Sequence, residues 1–280
     1  MILYCIHTGE DDGVRLLRRS CEERGVDFMT VDPMTYDYTT RPSFVKDALL
    51  YRVSTTKAAA DLEKFLLLHP AVNTFYTSSA RALSSMSNIL MYEKNDIPRP
   101  KTIYRLSKSR ELLRKYAAHL GLPLIIKSLG GSHGIGVIKI DSLSSLFSAA
   151  DYLLSKNSGV FVLKEFIQTT SSARLIVLGD KVIDSIKYSA PADDFRSNEG
   201  ATPNVSMEKF SKKIEEVAIA ATRALEIEFA GVDILIDKDG APHVAEVNFP
   251  CFFPRCQALT GTDISGMMLD HLIRKSALGR

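Results

Sequence analysis

Residues 127–137 read K-S-L-G-G-S-H-G-I-G-V, four glycines and one lysine in eleven positions. Backbone N–H groups of a glycine-rich turn can form an anion nest, and a lysine at its mouth adds a point charge. The chemistry on offer is phosphate binding. Two familiar phosphate loops do not fit. The G-x-x-x-x-G-K-[ST] pattern counted from Gly130 meets Ile135 where its second glycine belongs, and G-x-G-x-x-G counted from Gly134 meets Lys139. Both of those loops also run from a strand into a helix whose N-terminus holds the phosphate. Here the flanks, P-L-I-I-K and G-V-I-K-I, both read as strands. The loop is therefore expected at the tip of a β-hairpin, with Lys127 ending the incoming strand. An ordinary turn uses glycines in the same way.

A second group of reactive side chains lies farther along. Asp233 interrupts the apolar run F-A-G-V-D-I-L-I, and Glu246 and Asn248 interrupt H-V-A-E-V-N. Strand alternation puts Val244, Glu246 and Asn248 on one face. The linker D-K-D-G-A-P is short, so an antiparallel hairpin is expected, and pairing Ile236 with His243 sets Asp233 opposite Glu246. Two carboxylates directly across a strand pair destabilise it. A hard divalent cation removes that penalty, and Mg²⁺ commonly takes one or two carboxylates together with waters and nucleotide phosphates. The alternative is a solvated hairpin face carrying unrelated acids.

The elements that position these residues follow from periodicity. M-I-L-Y-C-I is a strand. A helix over 12–24 places Val14, Leu17 and Cys21 on one side, and Gly25 stops it. The strands V-D-F-M-T-V-D and A-L-L-Y-R-V, a helix over 55–68, the strand V-N-T-F-Y and a helix over 78–94 follow. This alternation predicts an open, largely parallel α/β sheet. The prolines of I-P-R-P (97–100) mark a boundary. Next come the strand K-T-I-Y-R-L, a helix ended by Gly121, the glycine-loop hairpin, a helix over 142–157 and the strand V-F-V-L-K-E-F-I. The last part has a hairpin about Gly179-Asp180, a polar loop over 190–205, a helix over 207–226, the acidic hairpin, a loop over 249–262 and a C-terminal helix. Three domains are expected: an N-terminal α/β domain over 1–85, a central domain over 86–165, and a C-terminal domain over 166–280 with the metal site.

Apolar residues make up 45% and charged residues 24% of the 280 positions, the profile of a globular chain with real cores. Lysine and arginine number 35 against 33 acids, so a net charge of +2 gives no electrostatic basis for nucleic acid or membrane as the main partner. No apolar run reaches the length of a membrane span. The start, M-I-L-Y-C-I-H-T-G-E-D-D-G, lacks a basic n-region and reads as a first strand rather than a signal peptide. Cys5, Cys21, Cys251 and Cys256 have neither CxxC nor zinc spacing, which points to reduced thiols in the cytoplasm.

The ordered set K-S-L-G-G-S-H-G-I-G-V, K-E-F-I (164–167), R-L-I-V-L-G-D (174–180), F-R-S-N (195–198), A-G-V-D-I-L (230–235), A-E-V-N (245–248) and T-G-T-D-I-S-G (260–266) resembles the ATP-grasp superfamily. Within it the likeness is to the RimK/LysX-type carboxylate–amine ligases. The resemblance implies a mixed α/β (α+β) chain with the ATP-grasp fold: an N-terminal open α/β domain, a central lid domain and a C-terminal antiparallel-sheet domain. It implies ATP and Mg²⁺, or Mn²⁺ in its place. Lys127 matches the lysine on the ATP phosphates. The hairpin with Gly131, Ser132, Gly134 and Gly136 matches the flap that folds over them. Glu165, Phe166 and Ile167 match the linker whose backbone holds the adenine. Arg174, Arg196, Ser197 and Asn198 match residues near the phosphates and the acyl group, and Arg174, Arg196 and Lys127 are the expected catalytic residues. Asp233, Glu246 and Asn248 match the metal ligands.

The implied reaction passes the γ-phosphoryl group of ATP to a carboxylate, after which an amine attacks the acyl phosphate to give an amide, ADP and phosphate. The implied amine is an amino acid. The implied acceptor is a small molecule, a peptide or a carrier protein, and the implied enzyme is a homo-oligomer. A kinase on the same fold, or a nucleotide-binding protein without turnover, are the alternatives. The chain also departs from the pattern. Ser84-Ser85 stands where the family has Asp-Lys, whose lysine reaches ATP. The stretch T-T-S-S-A-R lacks the usual acid near the ribose, with Ser172 the nearest match. Lys187 replaces a frequent arginine, and F-P-C-F-F-P-R replaces x-x-P-G after Asn248, which implies a different substrate pocket. Cys251 and Cys256 are expected as packed thiols. His133, at the loop tip, has no assigned role.

Overall fold

The computed structural model describes residues 1–280 except 40–42, 46, 70–71, 79–87, 130–135, 157–159, 170, 191–193, 197–203 and 279–280. The N-terminal part forms β1 (Ile2–Ile6), α1 (Asp12–Glu23), β2 (Asp27–Val31), β3 (Leu49–Arg52) and α2 (Lys57–Leu66). Side-chain caps start both helices: Asp11 accepts from Val14 N at 2.9 Å, and Thr56 accepts from Ala59 N. The strands are parallel in the order β2-β1-β3.

The stretch V-N-T-F-Y does not form the expected strand. Asn73 bridges Leu49 in parallel, whereas Tyr76 bridges Ile227 antiparallel. Two residues only three positions apart thus pair with different sheets, and no ladder grows in either. The bond from Glu228 N to Phe75 O, at 2.7 Å, belongs to the same seam.

After α3 (Asn88–Lys94), the described part of the helix expected over 78–94, a central antiparallel sheet follows. It contains β4 (Thr102–Ile103), β5 (Leu124–Ser128), β6 (Val137–Ile140) and β7 (Phe161–Glu165) in the order β4-β7-β5-β6, with helices α4 (Arg110–Leu120) and α5 (Leu143–Ser155). The strand expected from K-T-I-Y-R-L shrinks to the two residues of β4. Leu124, Ile126, Phe161 and Leu163 share a core with α4 and α5. By alternation, Lys127 and Lys164 face the other way.

The C-terminal part comprises β8 (Ser171–Leu178), β9 (Lys181–Ser189), β10 (Asn204–Met207), α6 (Lys212–Ala224), β11 (Phe229–Ile236), β12 (Pro242–Asn248), α7 (Pro254–Thr260) and α8 (Ile264–Leu278). Its sheet is antiparallel in the order β10-β9-β8-β11-β12. Two elements differ from the loops expected there. β10 is a four-residue edge strand, too short for its alternation to stand out. In α7, Pro254 opens a helix, a place where a proline is as favourable as in a turn.

α6 covers one face of this sheet through Leu175, Val232, Ile234, Val244 and Val247. On the other face, Ile176, Leu178 and Phe229 join Leu3, Tyr51 and Phe75 of the N-terminal part and Met268 and Leu272 of α8 in one core. Among the described residues no helix is long and apolar enough to cross a membrane.

All four cysteines are buried and free. Burial pushes the Cys21, Cys251 and Cys256 thiols up to about 12 and Cys5 higher still. Near neutral pH the thiolate, the reactive form, is therefore scarce at all four. Iodoacetamide is expected to leave the native protein unmodified and to alkylate all four cysteines in denaturant, as intact mass will show. Rapid native labelling would contradict the packing described.

Candidate active site

The β11–β12 hairpin sets the first geometry. Gly231 pairs with Asn248, Val232 with Val247 and Asp233 with Glu246, after which the register shifts and Ile234 pairs with Val244. Ala245 is the extra residue of a β-bulge. Asp233 therefore faces Glu246 as expected, but Ile236 meets Pro242 rather than His243. The bulge also reverses the side on which Val244 lies. Val244 shares the α6 core with Val247, whereas Glu246 and Asn248 turn with Asp233 to the opposite face. The expectation that Val244 lies beside Glu246 is corrected accordingly.

The neighbouring strand completes one half of the site. Arg174 of β8 lies directly across from Asp233. It donates twice, Nε to Oδ1 at 2.5 Å and Nη2 to Oδ2 at 2.9 Å, and both side chains are only 14% exposed. Burial alone would lower the Arg174 pKa, but the Asp233 carboxylate outweighs it and holds the guanidinium above its ordinary value. Asn248 donates through Nδ2 to Asp233 Oδ2 at 3.1 Å, so the amide oxygen is the end left to face a cation. Gly231 makes room for this arrangement. A Cβ there would lie 2.6 Å from Cys251 Sγ and 3.2 Å from Arg174 Cδ.

The central sheet supplies the other half. Lys127 is fixed between Val137 of β6 and Val162 of β7, and its Nζ donates to Glu246 Oε2 at 3.0 Å. Just beyond it, Ser128 N donates to Gly136 O at 2.9 Å and closes the neck of the glycine hairpin. Gly136 has a φ of +83°, and a Cβ would meet Ser128 Cβ at 3.0 Å, so only glycine suits this position. Gly131, Ser132, His133 and Gly134 lie outside the described residues, as do Ser84, Ser85, Ser197 and Asn198.

Lys164, which the motif reading passed over, belongs to this group. Its Nζ donates to Ala245 O at 3.3 Å. Burial, and then the nearby Lys127 ammonium, push its pKa down to about 8. A lysine inside the apolar run V-F-V-L-K-E-F-I was the signal available in the sequence. Lys127, Lys164, Glu246, Asn88, Tyr92 and Ser128 line a cleft of about 220 Å³.

The chain leaves β7 next to this cleft. Glu165 is tied to Lys101, donating from its N to Lys101 O at 2.9 Å and accepting from Lys101 N at 3.1 Å. Phe166 and Ile167 lie past the strand end. The Phe166 ring packs edge-on against Phe195 at 6.1 Å, with Lys139 Nζ 5.0 Å from its centroid. Arg196 is held by Asp194, with Nη2 to Oδ2 at 2.7 Å, on the Phe195 side.

Among the described residues no three His, Cys, Asp or Glu side chains gather in a metal-binding group. The set here is two carboxylates and one amide, all hard oxygen donors. That suits Mg²⁺, which takes its remaining ligands from water and phosphate, and does not suit zinc. Each carboxylate is matched by a cation, Asp233 by Arg174 and Glu246 by Lys127.

A family model described as the RimK-like ATP-grasp domain matches residues 82–272. A Pseudomonas entomophila (strain L48) protein named "Probable alpha-L-glutamate ligase" is 35% identical over 158 residues, covering 56% of this chain and 52% of that protein. In that alignment the chain spans about half the length of its relative. A protein of the same name from Methanococcoides burtonii (strain DSM 6242 / NBRC 107633 / OCM 468 / ACE-M) is 26% identical over 290 residues, covering 95% and 93%. Among solved structures, the ATP-grasp ligase PsnB complexed with a phosphomimetic variant of minimal precursor, Mg and ADP is similar with a TM-score of 0.75 over 98% of both chains. At 18% identity, that likeness is one of fold.

Gly231→Ala is expected to lower stability by about 1–3 kcal/mol through overpacking, read as a lower midpoint of chemical unfolding. Adding Cys251→Ala removes the nearest clash, so the double variant should recover part of the loss. Simple additivity would show that the thiol is not the obstacle.

Proposed function

The chain belongs to the RimK-like ATP-grasp family, and from that premise we propose that it is an ATP-dependent, ADP-forming carboxylate–amine ligase. The observation that carries this reading is the meeting of Asp233 and Glu246 with Lys127 at the base of a glycine hairpin. Asp233, Glu246 and Asn248 would hold Mg²⁺, or Mn²⁺ on the same hard oxygens. Bound there, the metal would neutralise charge on the ATP phosphates. Lys127 turns from Glu246 to those phosphates. The hairpin with Gly131, Ser132, Gly134 and Gly136 closes over them and excludes water from the acyl phosphate. The backbone at residues 165–167 receives the adenine. Arg174 acts as a positioning residue that keeps both oxygens of Asp233 aligned. Arg196, Ser197 and Asn198 serve the acyl side. In domain terms, 86–165 is the lid over 166–280, beside an N-terminal unit over 1–85.

In the reaction, a carboxylate oxygen attacks the γ-phosphorus and ADP leaves. An amine then attacks the acyl carbon, phosphate leaves, and the amine nitrogen gives up a proton. Little covalent chemistry falls to the protein, which positions the groups and offsets their charge. The names of the relatives make glutamate the first amine to test. The acceptor carboxylate is that of a small molecule, a peptide or a carrier protein.

ADP release is expected only when both an acid and an amine are present, with a product mass equal to their sum less one water. ADP formation with an alcohol or phosphate acceptor alone would instead indicate a kinase. Tight ATP binding without turnover across a broad panel would indicate a binding protein. The variant combining Asp233→Asn and Glu246→Gln is expected to abolish turnover and, because it leaves the buried Arg174 without its carboxylate, to lower the unfolding midpoint, whereas Glu246→Gln alone should lose most turnover with native circular dichroism. Unchanged activity in either would remove the metal assignment.

A further inference from the structure

Phe161 and Leu163 point into the core beneath α4 and α5, so Lys164 stands on the opposite face of the central sheet, with Lys127. The register pairs Ile125 with Lys164 and Val162 with Lys127, which makes the two lysines diagonal neighbours on adjacent strands. Ammonium groups so placed repel. Lys127 is met by the Glu246 carboxylate at 3.0 Å, whereas Lys164 rests on a backbone carbonyl at 3.3 Å. An ammonium has three donors and no acceptor, and a partly buried one needs more than one long bond to a neutral oxygen. Among the described residues no carboxylate lies within ion-pair distance of Lys164. Both lysines line the same cleft of about 220 Å³. Two cations and one carboxylate leave that cleft an excess of positive charge, which an anion would balance.

Resting on the ligase reading above, we infer that Lys164 is a second phosphate-contacting residue, whose ammonium takes an oxygen of the ATP triphosphate beside Lys127. It would supply a cation to a chain that carries serines at 84 and 85. It also divides the work of the chain at the end of β7: Lys164 reads the phosphates through its side chain, while the backbone at 165–167, running past the strand end, reads the adenine.

Isothermal titration of the wild type, K164M and K164R with MgATP and with adenosine tests this. K164M should bind MgATP about ten- to a hundred-fold more weakly, the usual effect of losing one charged hydrogen bond. Its adenosine affinity should not change, and K164R should recover most of the loss. An unchanged MgATP affinity, or equal losses for MgATP and adenosine, would overturn the inference. If K164M does not fold, acetylation footprinting of wild-type Lys164 decides the question. Protection by MgATP and not by adenosine supports the contact, and equal protection by both, or none, refutes it. A wild type that binds no MgATP defeats the ligase reading itself; a wild type that binds it, with K164M unaffected, defeats only this inference.

Discussion

Asp233 and Glu246 stand directly opposite each other on an antiparallel strand pair, and that arrangement is unfavourable without compensation. The surrounding structure supplies it from two directions. Arg174 arrives from the next strand of the same sheet and grips Asp233 with two hydrogen bonds. Lys127 arrives from a different sheet and takes Glu246. The first pair is largely desolvated, so breaking one partner leaves a buried charge, the costly case for an ion pair. The second is more open, with Glu246 45% exposed. A pair of this kind is weak and exchangeable, which suits the change of partner proposed for Lys127.

The same asymmetry explains which parts of the site could be read from the sequence. The pairing of Asp233 with Glu246 was legible in its outcome only: it followed from an Ile236–His243 register, whereas the turn pairs Ile236 with Pro242 and the extra residue at Ala245 restores the match. The side occupied by Val244 was not legible. One extra residue at Ala245 reverses the alternation, and no local pattern in H-V-A-E-V-N announces it. Lys127 could be found because it adjoins a glycine cluster. Lys164 could not be singled out from motif order, since its significance depends on Ala245 and Lys127, which are distant in sequence and adjacent in space. In the fold, strand–helix alternation was enough to anticipate the parallel N-terminal sheet. It misjudged V-N-T-F-Y, whose apolar character serves two sheets at once instead of one ladder.

That segment ties the N-terminal sheet to the sheet that carries the carboxylates. Lys275 of α8 donates to Thr74 O at 2.9 Å and Tyr76 O at 2.8 Å, and pairs with Glu228 at 2.5 Å. Carbonyls that a regular ladder would have used are satisfied by one lysine instead. The His271 ring stacks on Phe75 at 5.9 Å and its Nε2 meets Glu228 at 3.3 Å, adding to the same junction. The N-terminal sheet and the sheet that carries Arg174 and Asp233 thus share one continuous core.

The stretch F-P-C-F-F-P-R, which follows Asn248, gains a physical account from this core. Phe249 packs against Tyr76 at 5.0 Å and Tyr51 at 6.1 Å, so the chain leaving the carboxylate strand is anchored on the N-terminal part. Cys251 is buried over Gly231, and Phe253 packs on Phe229 at 6.2 Å. These side chains hold the site in place from below. Phe252 alternates with them and is 53% exposed, so of the three phenylalanines here it is the one presented to solvent. Phe249 and Phe253, packed on either side of Cys251, therefore anchor the chain that leaves Asn248, while the Phe252 ring is turned outward.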